Sequence, residues 1–143
     1  MSCADREDLA ALFAWTARRL ADAEAPLLAA NGLTMWEYIA LSRLARRPAP
    51  NQLTLAREIG HDKTRLIKLL DQLQQRGLID RRPDAADRRS HTVSITDEGR
   101  ALHTTVRTAI RRMETEFLTV LTPEERRSLL AILPRLASSE DDA

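Results

Sequence analysis

Lys63, Thr64, Arg65 and Lys68 crowd into one short stretch, and each can hydrogen-bond a base edge or neutralise a phosphate. Further along, Asp87, Arg88 and Arg89 sit in a polar loop, Pro83 to Ser90. An arginine carried on a protruding loop can enter a narrow minor groove and respond to its negative potential. Charge is concentrated around both groups. From His61 to Val93 the chain has eight basic and five acidic residues, a net of +3, whereas the remainder has 14 basic and 16 acidic, a net of −2. Both lysines of the protein, Lys63 and Lys68, belong to this window. Such chemistry is that of binding a polyanion. Bond-making chemistry would need other residues, and the chain shows no Gly-rich phosphate loop, paired catalytic carboxylates or serine elbow, so neither an enzyme nor a cofactor is expected. His61, His91 and His103 lack metal-ligand spacing, and Cys3 stands alone, so no metal site is expected either.

To present these residues, Lys63 to Arg76 must be a helix with one buried face. Leu66, Leu69, Leu70 and Leu73 recur at helical spacing and form that face. At about 100° per residue, Thr64, Lys68, Asp71, Gln72 and Gln75 then fall on the opposite side, with Ile67 on the flank. Asp62 is placed to cap the helix and Gly77 to close it. A shorter helix, Gln52 to Ile59, precedes it, capped by Asn51 and closed by Gly60. Leu78 to Arg82 and His91 to Ile95 read as strands of a hairpin whose tip is the arginine-bearing loop. Helix, turn, helix and hairpin make a winged helix-turn-helix. Its helix would offer Lys63, Thr64, Arg65, Ile67 and Lys68 to the major groove, Ile67 meeting a thymine methyl, with Gln72 further along towards phosphate.

Helices flank this unit. Leu9, Leu12, Phe13, Ala17 and Leu20 stripe the first, over Asp8 to Ala30, which Pro26 is expected to kink and Asn31-Gly32 to end. Thr34 and Glu37 form a capping box for the next, Met35 to Arg46, which stops before Pro48 and Pro50. After Thr96 a helix carrying Leu102, Val106, Ala109, Ile110, Met113 and Phe117 is expected to reach about Leu121. Thr122, Pro123 and Glu125 open a last one, which Pro134 should bend. The tail SSEDDA reads as disordered. Apolar stripes at both ends of the chain need a partner surface, and a two-fold homodimer is the economical one. Residues 1–143 thus read as one mostly α domain with a small β-hairpin wing. Residues 34–95 form its winged part, and helices over 5–31 and 96–137 its dimerisation part. An N-terminus with acids where a signal peptide needs basic residues, no apolar run near ~18 residues and a single cysteine make the cytoplasm the expected compartment.

The segments LAREIG, LLDQLQQRGLIDR, DRRSHTVSIT and TDEGR, in this order of helices and wing, resemble the MarR family of bacterial transcription regulators. The resemblance implies a homodimeric double-stranded DNA-binding regulator, a repressor relieved by a small aromatic or anionic ligand. It further implies that Asp87 orients a wing arginine through a salt bridge, with Arg88 or Arg89 entering the minor groove. An effector cleft between the winged unit and the dimer helices would draw on Trp15, Arg19, Trp36, Arg43, His103 and Arg107. Oxidant sensing through a first-helix cysteine does not fit, because the stretch around Ala10 has none. The alternative is a winged-helix protein-interaction module without specific DNA binding, which has no need of a basic helix and wing tip.

Overall fold

The computed structural model describes residues 5–87 and 89–138. In chain order these form α1 (Leu9–Ala30), α2 (Met35–Arg46), α3 (Gln52–Ile59), α4 (Lys63–Gln75), β1 (Ile79–Pro83), β2 (His91–Ile95), α5 (Asp97–Phe117) and α6 (Pro123–Ala137). A 3-10 turn, Leu118–Val120, joins the last two helices. Local chemistry sets most of these boundaries. Thr34 Oγ1 accepts the Glu37 N–H at 3.2 Å while Glu37 Oε1 accepts the Thr34 N–H at 3.0 Å, and Thr122 with Glu125 repeats the pattern. Asn51, Asp62 and Thr96 each accept the amide N–H three residues on, which satisfies a donor that a first turn leaves open. Gly60 lies between α3 and α4 with a φ of 70°, where any other L-residue is strained.

Packing follows the sequence pattern closely. Leu66, Leu70 and Leu73 of α4 are fully buried and Leu69 nearly so, against a core of Leu41 and Leu44 from α2, Leu55 from α3, and Ile79 and Val93 from the hairpin. Val106 and Ile110 of α5 extend that core, with Leu102 and Met113 packed on its edge. The hairpin is antiparallel, pairing Ile79 with Ile95 and Pro83 with His91.

Pro26 and Pro134 lie within α1 and α6, which end at Ala30 and Ala137 as the sequence leads one to expect. Two details differ from expectation. The regular α-helix after Thr96 stops at Phe117, so it is roughly 30 Å long. Ala49, between two prolines, bridges to Val93 with N–H to O distances of 2.8 and 3.0 Å, adding a one-residue third strand.

Gly99, in the first turn of α5, is in the tightest spot. A Cβ there would lie 2.1 Å from the Leu78 carbonyl oxygen and 2.9 Å from Ile95 Cγ1. Because the nearest atom is backbone, the clash is relieved only by moving the strand or the helix. Gly99→Ala is therefore expected to destabilise the fold by about 1–3 kcal/mol, read as a lower midpoint in urea denaturation; a midpoint equal to wild type would contradict this packing.

Candidate nucleic-acid interface

Two sites emerge, one on the outer face of α4 and the wing, the other between α2 and α5. On α4, Lys63, Thr64, Arg65, Lys68 and Gln72 are all exposed and Ile67 is half-buried. Among the described residues, none of the three cations is held in an ion pair or side-chain hydrogen bond. The helix is thus fastened by its leucines and leaves its charged face open. Asp62, capping the Arg65 N–H at 3.0 Å, fixes where that face begins.

The wing is closed by its own backbone. The Asp84 N–H donates to the Ser90 carbonyl at 2.8 Å, and the Asp84 carboxylate accepts the Ala86 N–H at 3.0 Å. Asp87 shapes the tip in the same manner, its Oδ1 accepting the Arg89 N–H at 3.0 Å. This bond is to the Arg89 backbone; the expected salt bridge of Asp87 to a wing arginine involves Arg88 as well as Arg89, and Arg88 is not among the described residues. Arg89 is exposed; Arg88, like Cys3 and the tail after Ser138, lies outside the described residues. Not every cation of the basic window is open. Arg76 donates to the Gly32 carbonyl at 2.7 Å and pairs with buried Glu37 at 3.6 Å, and Arg81 is tied to Asp71, Gln74 and Gln52.

The model of the MarR family matches residues 31–90, the stretch from the end of α1 to the wing tip. A probable transcriptional regulator from Pseudomonas aeruginosa is 30% identical, with a TM-score of 0.77 over 91% of this chain and 97% of that one. The chain belongs to the MarR family. The structure of the transcriptional repressor CouR bound to a 23-mer DNA duplex is similar at 28% identity and a TM-score of 0.81, covering 92% of this chain and 93% of that one. A MarR family protein of Mycobacterium tuberculosis in complex with salicylic acid is similar at 25% identity and a TM-score of 0.77, covering 94% and 99%. This chain is accordingly a DNA-binding transcription regulator of mostly helical fold with a hairpin wing. Among its described residues no group of His, Cys, Asp or Glu is placed to hold a metal ion, and no helix is long and apolar enough to cross a membrane.

The six side chains expected to line an effector cleft in this MarR protein are dispersed. Trp15 is exposed on α1, and the Arg19 guanidinium lies over the Phe117 ring at 5.0 Å. Trp36 stacks on His61 with ring centroids 4.2 Å apart. Arg43 pairs with Glu58 and donates to the Arg47 carbonyl, which locks α2 to α3. His103 and Arg107 share an open cleft of about 330 Å³ completed by Tyr38, Ser42, Arg46 and Arg111. Those four were missed, although the signal was available. Tyr38, Ser42 and Arg46 recur every four residues on α2, as do His103, Arg107 and Arg111 on α5, which places each trio along one helix face.

At the base of that cleft His103 is buried, its Nε2 hydrogen-bonded to Ser42 Oγ at 2.9 Å and its ring stacked on Tyr38 at 5.4 Å. Burial, then the nearby Arg107 and Arg100 charges, hold its pKa below the ordinary value for histidine. In the unfolded chain that value is about 6.5. Between the two values the unfolded state binds the extra proton, so His103's contribution is complete above the unfolded pKa and is lost as pH falls through the folded one. Moving from about pH 7.5 to about pH 5.5 should lower the urea midpoint, and His103→Gln should flatten that slope; an unchanged slope would remove His103 as its source.

Proposed function

We propose that this MarR protein is a homodimeric repressor that sets α4 in the major groove and the wing in the minor groove of each half of a pseudo-palindromic duplex. The observation that carries this reading is the two-sided character of α4. Four buried leucines hold one face, while Lys63, Thr64, Arg65 and Lys68 stand exposed on the N-terminal half of the other, where a recognition helix meets base edges. Arg88 and Arg89, with Asp87 shaping the tip, probe the minor groove. Ile67 is placed on the flank for a thymine methyl and Gln72 for the backbone.

The dimer rests on an apolar groove. Leu9, Leu12 and Phe13 of α1, Phe117 of α5, and Leu130 and Leu133 of α6 line an open volume of about 420 Å³. Four of these residues are each at least 40% exposed, and α6 has no buried residue at all. A second copy, bringing the same helices, covers that surface and sets the half-sites about one helical turn apart. Residues 34–95 thus form the reading part and helices over 5–31 and 96–137 the pairing part of one domain. Relief of repression is assigned to the cleft at His103, whose Arg46, Arg107 and Arg111 guanidinium groups and Tyr38 ring suit a small aromatic anion. A relative's complex with salicylic acid supports that ligand class.

Fluorescence anisotropy on a labelled duplex tests the reading. Lys68→Ala, Arg88→Ala and Arg89→Ala should each weaken binding about tenfold and reduce the slope of log affinity against log salt by about 1. Light scattering on the same samples should give twice the 16.1 kDa chain mass. Wild-type affinity for DNA that is low and indifferent to salt would instead indicate a protein-interaction module. Salicylate, added to the complex, should release DNA from the wild type and not from Arg107→Gln; equal release from both would place the effector elsewhere.

A further inference from the structure

A two-stranded hairpin on its own is marginally stable, so the direction in which a wing projects must be set by what its base touches. In this protein one polar side chain ties the base of the wing, beside its buried Ile79 and Val93, to the reading helices. Arg81, on β1 opposite Val93, is only 18% exposed, and its guanidinium reaches across to both helices of the reading unit. Nε donates to Gln74 Oε1 at 2.7 Å, Nη1 donates to Gln52 Oε1 at 3.2 Å, and Nη2 is paired with Asp71 Oδ1. Asp71 and Gln74 belong to α4, and Gln52 is the first residue of α3. One planar group, with its donors in a fixed fork, therefore joins α3, α4 and the wing strand.

The partner is as telling as the arginine. Asp71 is 51% exposed and shares the outer face of α4 with Thr64, Lys68, Gln72 and Gln75, the face assigned above to the duplex. A carboxylate there repels phosphate, so its presence weakens DNA binding unless it does something else. We propose that Arg81, held by Asp71, is a positioning residue for DNA recognition: it fixes the angle between α4 and the wing so that major- and minor-groove contacts form together. Without it, the wing must be ordered at the moment of binding, at a cost in affinity for duplexes that engage both elements. The inference rests on the groove assignment proposed above.

The test exploits an opposition of sign. Removing an acid from a DNA-facing surface strengthens binding on charge grounds alone, whereas losing the positioning contact weakens recognition. A duplex selected by the wild-type protein from a randomised pool, and a scrambled duplex of equal length, serve as probes. Asp71→Asn should bind the selected duplex about five- to tenfold more weakly and the scrambled one as tightly as wild type or more so. Hydroxyl-radical cleavage should show minor-groove protection lost while dimethyl sulfate methylation shows guanine N7 protection in the major groove retained. Arg81→Met should show the same loss with its salt slope unchanged. Undiminished binding of the selected duplex by Asp71→Asn overturns the proposal. So does a salt slope lowered by about 1 on both duplexes for Arg81→Met, which would make Arg81 a phosphate contact. Should Arg81→Met not fold, the exposed Asp71→Asn substitution carries the test. A wild type that selects no sequence at all, or protects only one groove, sinks the groove assignment itself, which is a separate outcome.

Discussion

Where β2 hands over to α5, the Leu78 carbonyl accepts the Thr96 N–H at 3.1 Å and lies against the unsubstituted Cα of Gly99. Thr96 adds two bonds of its own, donating its hydroxyl to the Gly77 carbonyl at 2.6 Å while accepting the Gly99 N–H. Four elements converge here: the end of α4, both strands of the wing, and the first turn of α5. The joint is tight, so the Gly77–Leu78 turn that follows α4 and the first turn of α5 meet through backbone. A displacement at one is transmitted to the other. α2 packs on the same long helix, where Tyr38 stacks on His103.

Local rules made much of the fold legible in sequence. The caps at Thr34, Asn51, Asp62, Thr96 and Thr122 depend on residues three apart, and the leucine face of α4 depends only on helical spacing, so both could be read from the chain. The cleft was not legible to the same degree. Tyr38 and His103 stack although many residues separate them, and no local pattern says that those two faces meet. Trp36 drew attention as an aromatic in an aromatic-poor chain, yet it serves to stack on His61 at the turn before α4. Arg43 was similarly plausible as a ligand contact; Glu58, on the next helix, claims it, and that hydrogen bond holds the Glu58 carboxyl below its usual range.

Charge counting had a related weakness. The basic window was real, but a net charge does not distinguish cations facing solvent from those already neutralised. Arg76 and Arg81 brace the reading unit from within, leaving Lys63, Arg65, Lys68, Arg82 and Arg89 exposed. The electrostatic footprint is consequently narrower than the sequence suggests, confined to the first half of α4 and the wing. Narrowness favours register over bulk attraction, since a small cluster of cations on a rigid frame can satisfy few phosphates and must satisfy the right ones.

The bridge at Ala49 has a consequence beyond the wing's geometry. A lone hairpin presents an outer edge whose unpaired amides and carbonyls can template the addition of a strand from another chain. Here Val93, at the centre of that edge, is already bonded to Ala49 in both directions. On either side of Ala49 stands a proline, which has no N–H to donate, so the third strand can neither lengthen nor recruit a fourth. Three residues of loop thereby close the β2 edge of the hairpin to a further strand.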